Sequence, residues 1–204
     1  MVPVLMVCAH PDDEAVGCGG TLRGHVVDGC EVHVINLTSG EAGGHSIADA
    51  GGVREREAQD AAAVLGLTHI AFWREPDGAL RATRKLVARL ATEIQRIQPG
   101  LVYVPHDRDD HPDHKAASRL TRNALQMAES PAVGLQCEIW TPIDHIDHIV
   151  DISPHLDTKL AAIRAYRSQC EVMRLDESFR GLARYRGEMH LWPGGDFAEV
   201  FRVL

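Results

Sequence analysis

The chain has 204 residues, enough for one domain with a self-sufficient core. Charged residues make up 25% of it and the formal net charge is -8, with basic side chains scattered among acidic ones, so nucleic acid and anionic membranes are poor partners. Its five cysteines, Cys8, Cys18, Cys30, Cys137 and Cys170, are widely spread and form no CxxC pair, which points to reduced thiols and a cytoplasmic location; no apolar run approaches a membrane span.

Taken in order, the apolar run Val2 to Cys8 predicts a buried strand. A helix follows over Glu14 to Asp28, opened by acidic residues after Pro11 and closed near Gly29. Glu31 to Leu37 reads as the second strand, and Thr38 to Gly52, rich in glycine and small residues, as a long functional loop. Val53 to Leu65 places Ala58, Ala61, Ala62 and Leu65 on one helical face and stops at Gly66. Thr68 to Trp73 is the third strand. Ala79 to Gln98 carries a helical stripe of Leu86, Leu90, Ile94 and Ile97 and ends at Pro99-Gly100. Leu101 to Val104 is the fourth strand, Ala116 to Glu129 a helix, and Gln136 to Thr141 and His148 to Ile152 are weaker strands. His155 to Cys170 is a helix opened by Ser153-Pro154. This alternation predicts a single α/β domain over residues 1–204, a Rossmann-like three-layer sandwich with a mostly parallel central sheet. No regular element is assigned after Arg174. Phe179, Tyr185 and Trp192 point to a packed lid or a homo-oligomer interface over residues 171–204.

Two clusters carry the chemistry. Ala9-His10-Pro11-Asp12-Asp13-Glu14 follows the first strand directly, where α/β enzymes keep their sites. One histidine and one aspartate suit a divalent metal, while the neighbouring aspartate is left to handle a proton. The second cluster, Pro105 to His114, follows the fourth strand, so a parallel sheet brings both clusters to the same carboxyl edge. His111 and His114, three apart, share one side of a helical turn, and Asp113 is placed to orient an imidazole. A calcium loop would need a central glycine and a terminal glutamate that this run lacks. Taken alone, the run also reads as a solvated acidic turn. Gly17-Cys18-Gly19-Gly20 is not a dinucleotide fingerprint, because the third glycine would fall at Leu22; close helix-to-sheet packing explains these glycines better. Neither a phosphate loop nor a GxSxG elbow occurs.

The two clusters together resemble the LmbE-like, or PIG-L, zinc-dependent N-acetylglucosaminyl deacetylases, whose signatures are AHPDDE after the first strand and a later HxDH. Here these are Ala9 to Glu14 and His111-Pro112-Asp113-His114. The resemblance continues through Gly17-Cys18-Gly19-Gly20, Thr38-Ser39-Gly40-Glu41, Arg54 with Glu57, Pro76-Asp77-Gly78, Val150-Asp151-Ile152-Ser153, Ser168-Gln169 and Phe179 to Ala183. Tyr166 departs from the pattern, since some relatives carry histidine there.

The resemblance implies a hydrolase of linear amides that removes an N-acetyl group from an N-acetylglucosamine-containing small molecule, such as a bacillithiol-type glycoside. His10, Asp13 and His114 would hold Zn2+, with Fe2+ and Mn2+ as competitors. Asp12 would be the general base and the first choice as acid toward the amine. His111, held charged and oriented by Asp113, would stabilise the oxyanion. Arg54, Asp77, Ser39 and Glu41 would touch the sugar, and Glu14 would be structural. Two rival readings stay open: a zinc amidase or esterase acting on an antibiotic or other secondary-metabolite precursor, and a metal- or sugar-binding protein without turnover.

Overall fold

The computed structural model describes residues 2–43, 48–191 and 195–204. Seven strands form one sheet: β1 (Val4–Cys8), β2 (Val32–Thr38), β3 (His69–Glu75), β4 (Leu101–Pro105), β5 (Val133–Cys137), β6 (His148–Asp151) and β7 (Ala198–Val203). Their order is β3-β2-β1-β4-β5-β7-β6; the first five run parallel, and β7 lies antiparallel to both β5 and β6. Chain connectivity reverses between β1 and β4, so the segments leaving those two strands open a crevice at the carboxyl edge.

Every residue of β1 and β2 is buried, as strands covered on both faces must be. Val4, Met6 and Cys8 face one layer, built from α1 (Asp13–Val27), α2 (Ala50–Leu65), α5 (Leu156–Ala165) and α7 (Leu175–His190). Leu5, Val7 and Ala9 face the other, built from α3 (Arg84–Ile97) and α4 (Pro112–Met127). The three-layer α/β expectation is met. Among the described residues no helix is long and apolar enough to cross a membrane.

Several boundaries depart from the sequence reading, each for a local reason. The helix expected from Ala79 starts at Arg84, because the Thr83 side chain accepts from Leu86 N while Leu80 N is drawn to Asp113. α4 begins four residues early, with His111 as its cap and Pro112 at its first turn. The single helix expected over His155 to Cys170 is interrupted at Tyr166, leaving the short α6 (Arg167–Cys170). Residues 171–204, expected as a lid or interface, supply the sixteen-residue α7 and a strand set inside the sheet. Of the three aromatic residues behind that expectation, Trp192 lies outside the described residues.

α1 is broken at Cys18 (φ -149°, ψ 25°), and the break is matched by buried charge. Gly20 N and Thr21 N donate to the Glu199 carboxylate at 3.0 and 2.8 Å, while Lys159 Nζ donates to Val16 O at 2.7 Å and to Glu199 at 2.5 Å. One ion pair from α5 and β7 thus satisfies both ends of the break. Close approach explains the glycines: a Cβ on Gly20 would lie 2.6 Å from Ile152 Cβ, and one on Gly17 would lie 2.8 Å from Cys137 Sγ. Lys159→Met, which strands the Glu199 charge, is expected to lower unfolding free energy by about 3–5 kcal/mol in urea titration.

Candidate active site

The turn after β1 is shaped by the Asp13 carboxylate. Its Oδ2 accepts from Ala9 N at 2.7 Å and His10 N at 3.0 Å, which leaves Oδ1 aimed across the crevice. Asp12 caps α1 at φ 118°, a left-handed conformation that a non-glycine residue holds only under strain of about 1–3 kcal/mol. Such strain concentrates at functional sites, and here it sets two adjacent carboxylates in different surroundings. Arg54, itself buried, fixes Asp12. Its Nη2 lies 3.0 Å from Asp12 Oδ2 and donates to Pro11 O at 2.5 Å, and its Nη1 donates to Gly40 O at 3.0 Å. Burial lifts the Asp12 pKa to about 6 against the pull of Arg54.

Across the crevice, Asp109 organises the start of α4. One of its oxygens accepts from His111 N at 2.9 Å and from His114 Nδ1 at 2.9 Å; the other accepts from Trp140 N at 2.8 Å and Thr141 N at 3.1 Å. That clamp also explains why β5 ends at Cys137 and not at the expected Thr141. His111 Nδ1 accepts from Asp113 N at 3.2 Å, so the proton of a neutral His111 ring sits on Nε2.

The clusters meet around three atoms. Asp77 Oδ1 stands 3.0 Å from His10 Nε2, which leaves the lone pair on Nδ1; Asp109 likewise leaves the His114 lone pair on Nε2. His114 Nε2 lies 3.3 Å from both His10 Nδ1 and Asp13 Oδ1, and the last two are 4.0 Å apart. In these neutral tautomers the three acceptors repel one another unless positive charge, as ring protons or a metal ion, sits among them. Burial lowers the His10 pKa, but hydrogen bonds to Asp113 and Asp77 outweigh it and lift the value to about 9. At His114 burial is outweighed by Asp13 and Asp109, and the value reaches about 10. The surrounding carboxylates therefore hold positive charge at this spot. Two imidazole nitrogens, one carboxylate oxygen and room beside them suit a divalent metal with an open coordination position. Of the alternative groupings, His10 with His111 and His114 shares two of these residues, and His10 with Asp77 and Asp113 shares one. In the second, Asp77 and Asp113 both serve His10 through Nε2, the nitrogen turned away from His114.

Of the residues expected to act, His10, Asp12, Asp13, His111 and His114 are brought together, and Asp113 stands beside them in another capacity. Its carboxylate does not orient His111. It lies 3.4 Å from His10 Nε2 and accepts from Gly78 N at 2.7 Å and Leu80 N at 3.1 Å, because the 76–80 loop reaches it first. Burial, then His10 and His114, push the His111 pKa down, which works against the charged ring that was expected. Asp77, expected at the sugar, bonds His10 and accepts from Ala42 N at 2.8 Å, although it borders the cavity. Ser39 donates to Glu55 at 2.5 Å and Glu41 accepts from Asp77 N at 3.0 Å, so both are engaged within the loop region and neither lines the cavity. Glu14 is structural in that it is buried and bonded to Tyr166 Oη; burial raises its pKa to about 7.

Sequence reasoning missed Asp109, whose signal was its place five residues before His114, and Trp140, which carried none. Trp140 is 57% exposed, and its ring lies 6.5 Å from that of His111 at 29°. It borders a cavity of about 470 Å³ over the His/Asp cluster and a neighbouring apolar one of about 570 Å³ under Ile139, Leu175 and Phe179; Asp12 and Met173 also border both.

The family model described as PIG-L, GlcNAc-PI de-N-acetylase, matches residues 5–125, from β1 through most of α4. The chain belongs to the PIG-L family. A diacetylchitobiose deacetylase from Thermococcus kodakarensis is 31% identical to this PIG-L member over 98% of this chain and 82% of its own length. The conserved protein TT1542 from Thermus thermophilus has a TM-score of 0.88 and 33% identity, covering 100% of this chain and 94% of that one. GalB, the 4-carboxy-2-hydroxymuconate hydratase of Pseudomonas putida, also has a TM-score of 0.88, with 25% identity over 100% of this chain and 96% of its own.

Because Asp109 sets the tautomer of His114, Asp109→Asn in this PIG-L member is expected to weaken divalent-metal affinity about 10–100-fold, read by competition with a chromophoric chelator.

Proposed function

We propose that this PIG-L family member is a zinc-dependent N-deacetylase that hydrolyses the acetamide of an N-acetylglucosamine-containing small molecule. The observation that carries the reading is the convergence of His10 Nδ1, Asp13 Oδ1 and His114 Nε2 beside a separate carboxylate, Asp12, which Arg54 holds in place. The family description and the Thermococcus relative's name both specify removal of an acetyl group from an acetylated amino sugar. Five free cysteines support a reducing, cytoplasmic setting.

His10, Asp13 and His114 hold the metal in this reading. When bound, it supplies Lewis acidity toward the amide carbonyl and acidifies water. Asp12 accepts the proton of the attacking water, and its burial makes it basic enough to do so near neutral pH. The same group then delivers that proton to the departing amine nitrogen. His111, tautomerically fixed by Asp113 N, offers its Nε2–H to the oxygen on which charge develops. Asp77 and Asp113 position His10, while Asp109 positions His114. Trp140, exposed at the cavity mouth beside His111, presents a flat apolar face to the sugar ring.

Acetate and free amine released from diacetylchitobiose and a panel of N-acetylglucosaminides test the assignment. Asp12→Asn is expected to lower kcat by about 10²–10⁴-fold while metal content stays at the wild-type level. Full activity in that variant would remove Asp12 from the proton path, and no acetate from any acetylated sugar would remove the substrate class. The likeness to GalB favours one second reading, addition of water to a carbon–carbon double bond, and an unsaturated tricarboxylate in the same panel distinguishes it. Trp140→Ala is expected to raise KM roughly fivefold, about 1 kcal/mol of ring stacking, with little change in kcat.

A further inference from the structure

At the opposite edge of the sheet the described residues hold a second group of histidine and carboxylate side chains. Glu31 precedes β2 and lies two residues before His33, so the two share a face of the extended chain. His69 opens β3 and is the register partner of His33 on the neighbouring parallel strand. Strand spacing sets the rings side by side, with centroids 4.4 Å apart and planes 14° from parallel. One oxygen, Glu31 Oε1, lies 3.0 Å from His33 Nε2 and 2.9 Å from His69 Nε2. The three ligand atoms stay within 4.8 Å of one another. Ligands about 2.0 Å from a tetrahedral ion stand about 3.3 Å apart, so small side-chain rotations admit one.

We propose that Glu31, His33 and His69 form a second divalent-metal site that clips the edge strand β3 to β2. Two imidazole nitrogens and one carboxylate oxygen select zinc, nickel or copper over calcium and magnesium, which prefer all-oxygen cages. The group borders a cavity of about 460 Å³ whose wall includes Glu93 and Arg96. The Arg96 guanidinium, the cation that would oppose a metal there, is turned onto Glu93, with Nε at 2.9 Å and Nη2 at 2.8 Å. Among the described residues β3 pairs with β2 alone, and a metal bridge between the strands stabilises the folded chain by binding it in preference to the unfolded one. The site stands where β2 and β3 begin, away from the carboxyl edge, and does not depend on the deacetylase assignment.

The test uses the full chain stripped of metal by a chelator and then titrated with zinc alone by calorimetry and thermal unfolding. His69→Ala and Glu31→Gln are each expected to lose one zinc equivalent relative to wild type and part of the zinc-induced rise in Tm, with acetate release unchanged. Both side chains are about half exposed, so the substitutions leave the core intact. Asp13→Asn is expected to keep the equivalent that these variants lose. If the catalytic rim binds no zinc, a single equivalent lost in His69→Ala still supports the proposal. Equal zinc stoichiometry in wild type and His69→Ala, or calcium binding as tightly as zinc at this site, would overturn it.

Discussion

Two buried carboxylate–imidazole contacts, Asp77 to His10 and Asp109 to His114, determine what the crevice can do. Each occupies one ring nitrogen and turns the other inward. With Asp13 Oδ1 they bring three ligating atoms to a shared point where the carboxylates favour positive charge, carried by ring protons or by a metal ion. The remaining features of the site serve that constraint. The backbone N–H groups of Ala9 and His10 hold Asp13, and Asp109 also clamps the 140–141 loop that carries the exposed indole.

The two aspartates of one dipeptide end in opposite roles because their environments differ. Asp13 accepts two backbone hydrogen bonds and faces His114, which overcomes the upward push of burial and depresses its pKa. Asp12, strained at φ 118°, is pushed up by burial more than Arg54 pulls it down and has a pKa of about 6. A carboxylate that stays ionised suits ligation, and one that titrates near neutrality suits proton transfer. Arg54 holds Asp12 and also borders the cavity over the cluster, so its place is compatible with the contact to the sugar that the resemblance implies.

The sequence revealed what is local or periodic. β1, α2 and α3 follow from buried apolar runs and helical stripes, and the switch between β1 and β4 places both motifs on one rim. The convergence of His10, Asp13 and His114 was legible for the same reason, while their role as ligands is what the family resemblance implies. What escaped depends on partners distant in the chain. Nothing near Cys18 announces a helix break answered by Lys159 and Glu199, and nothing near Asp113 shows that its carboxylate is taken by Gly78 N and Leu80 N. β7 was missed because Ala198 to Val203 is a short run at the chain's end whose strand character comes from pairing with β5 and β6.

If His10, Asp13 and His114 hold the metal as proposed, the ion sits on the Nδ1 side of His10. Anomalous diffraction at the zinc edge, on crystals of the zinc-loaded protein, locates it directly. The account predicts a peak in the crevice about 2.0–2.2 Å from His10 Nδ1, Asp13 Oδ1 and His114 Nε2. A peak on the Nε2 side of His10, ligated by Asp77 and Asp113, would contradict it.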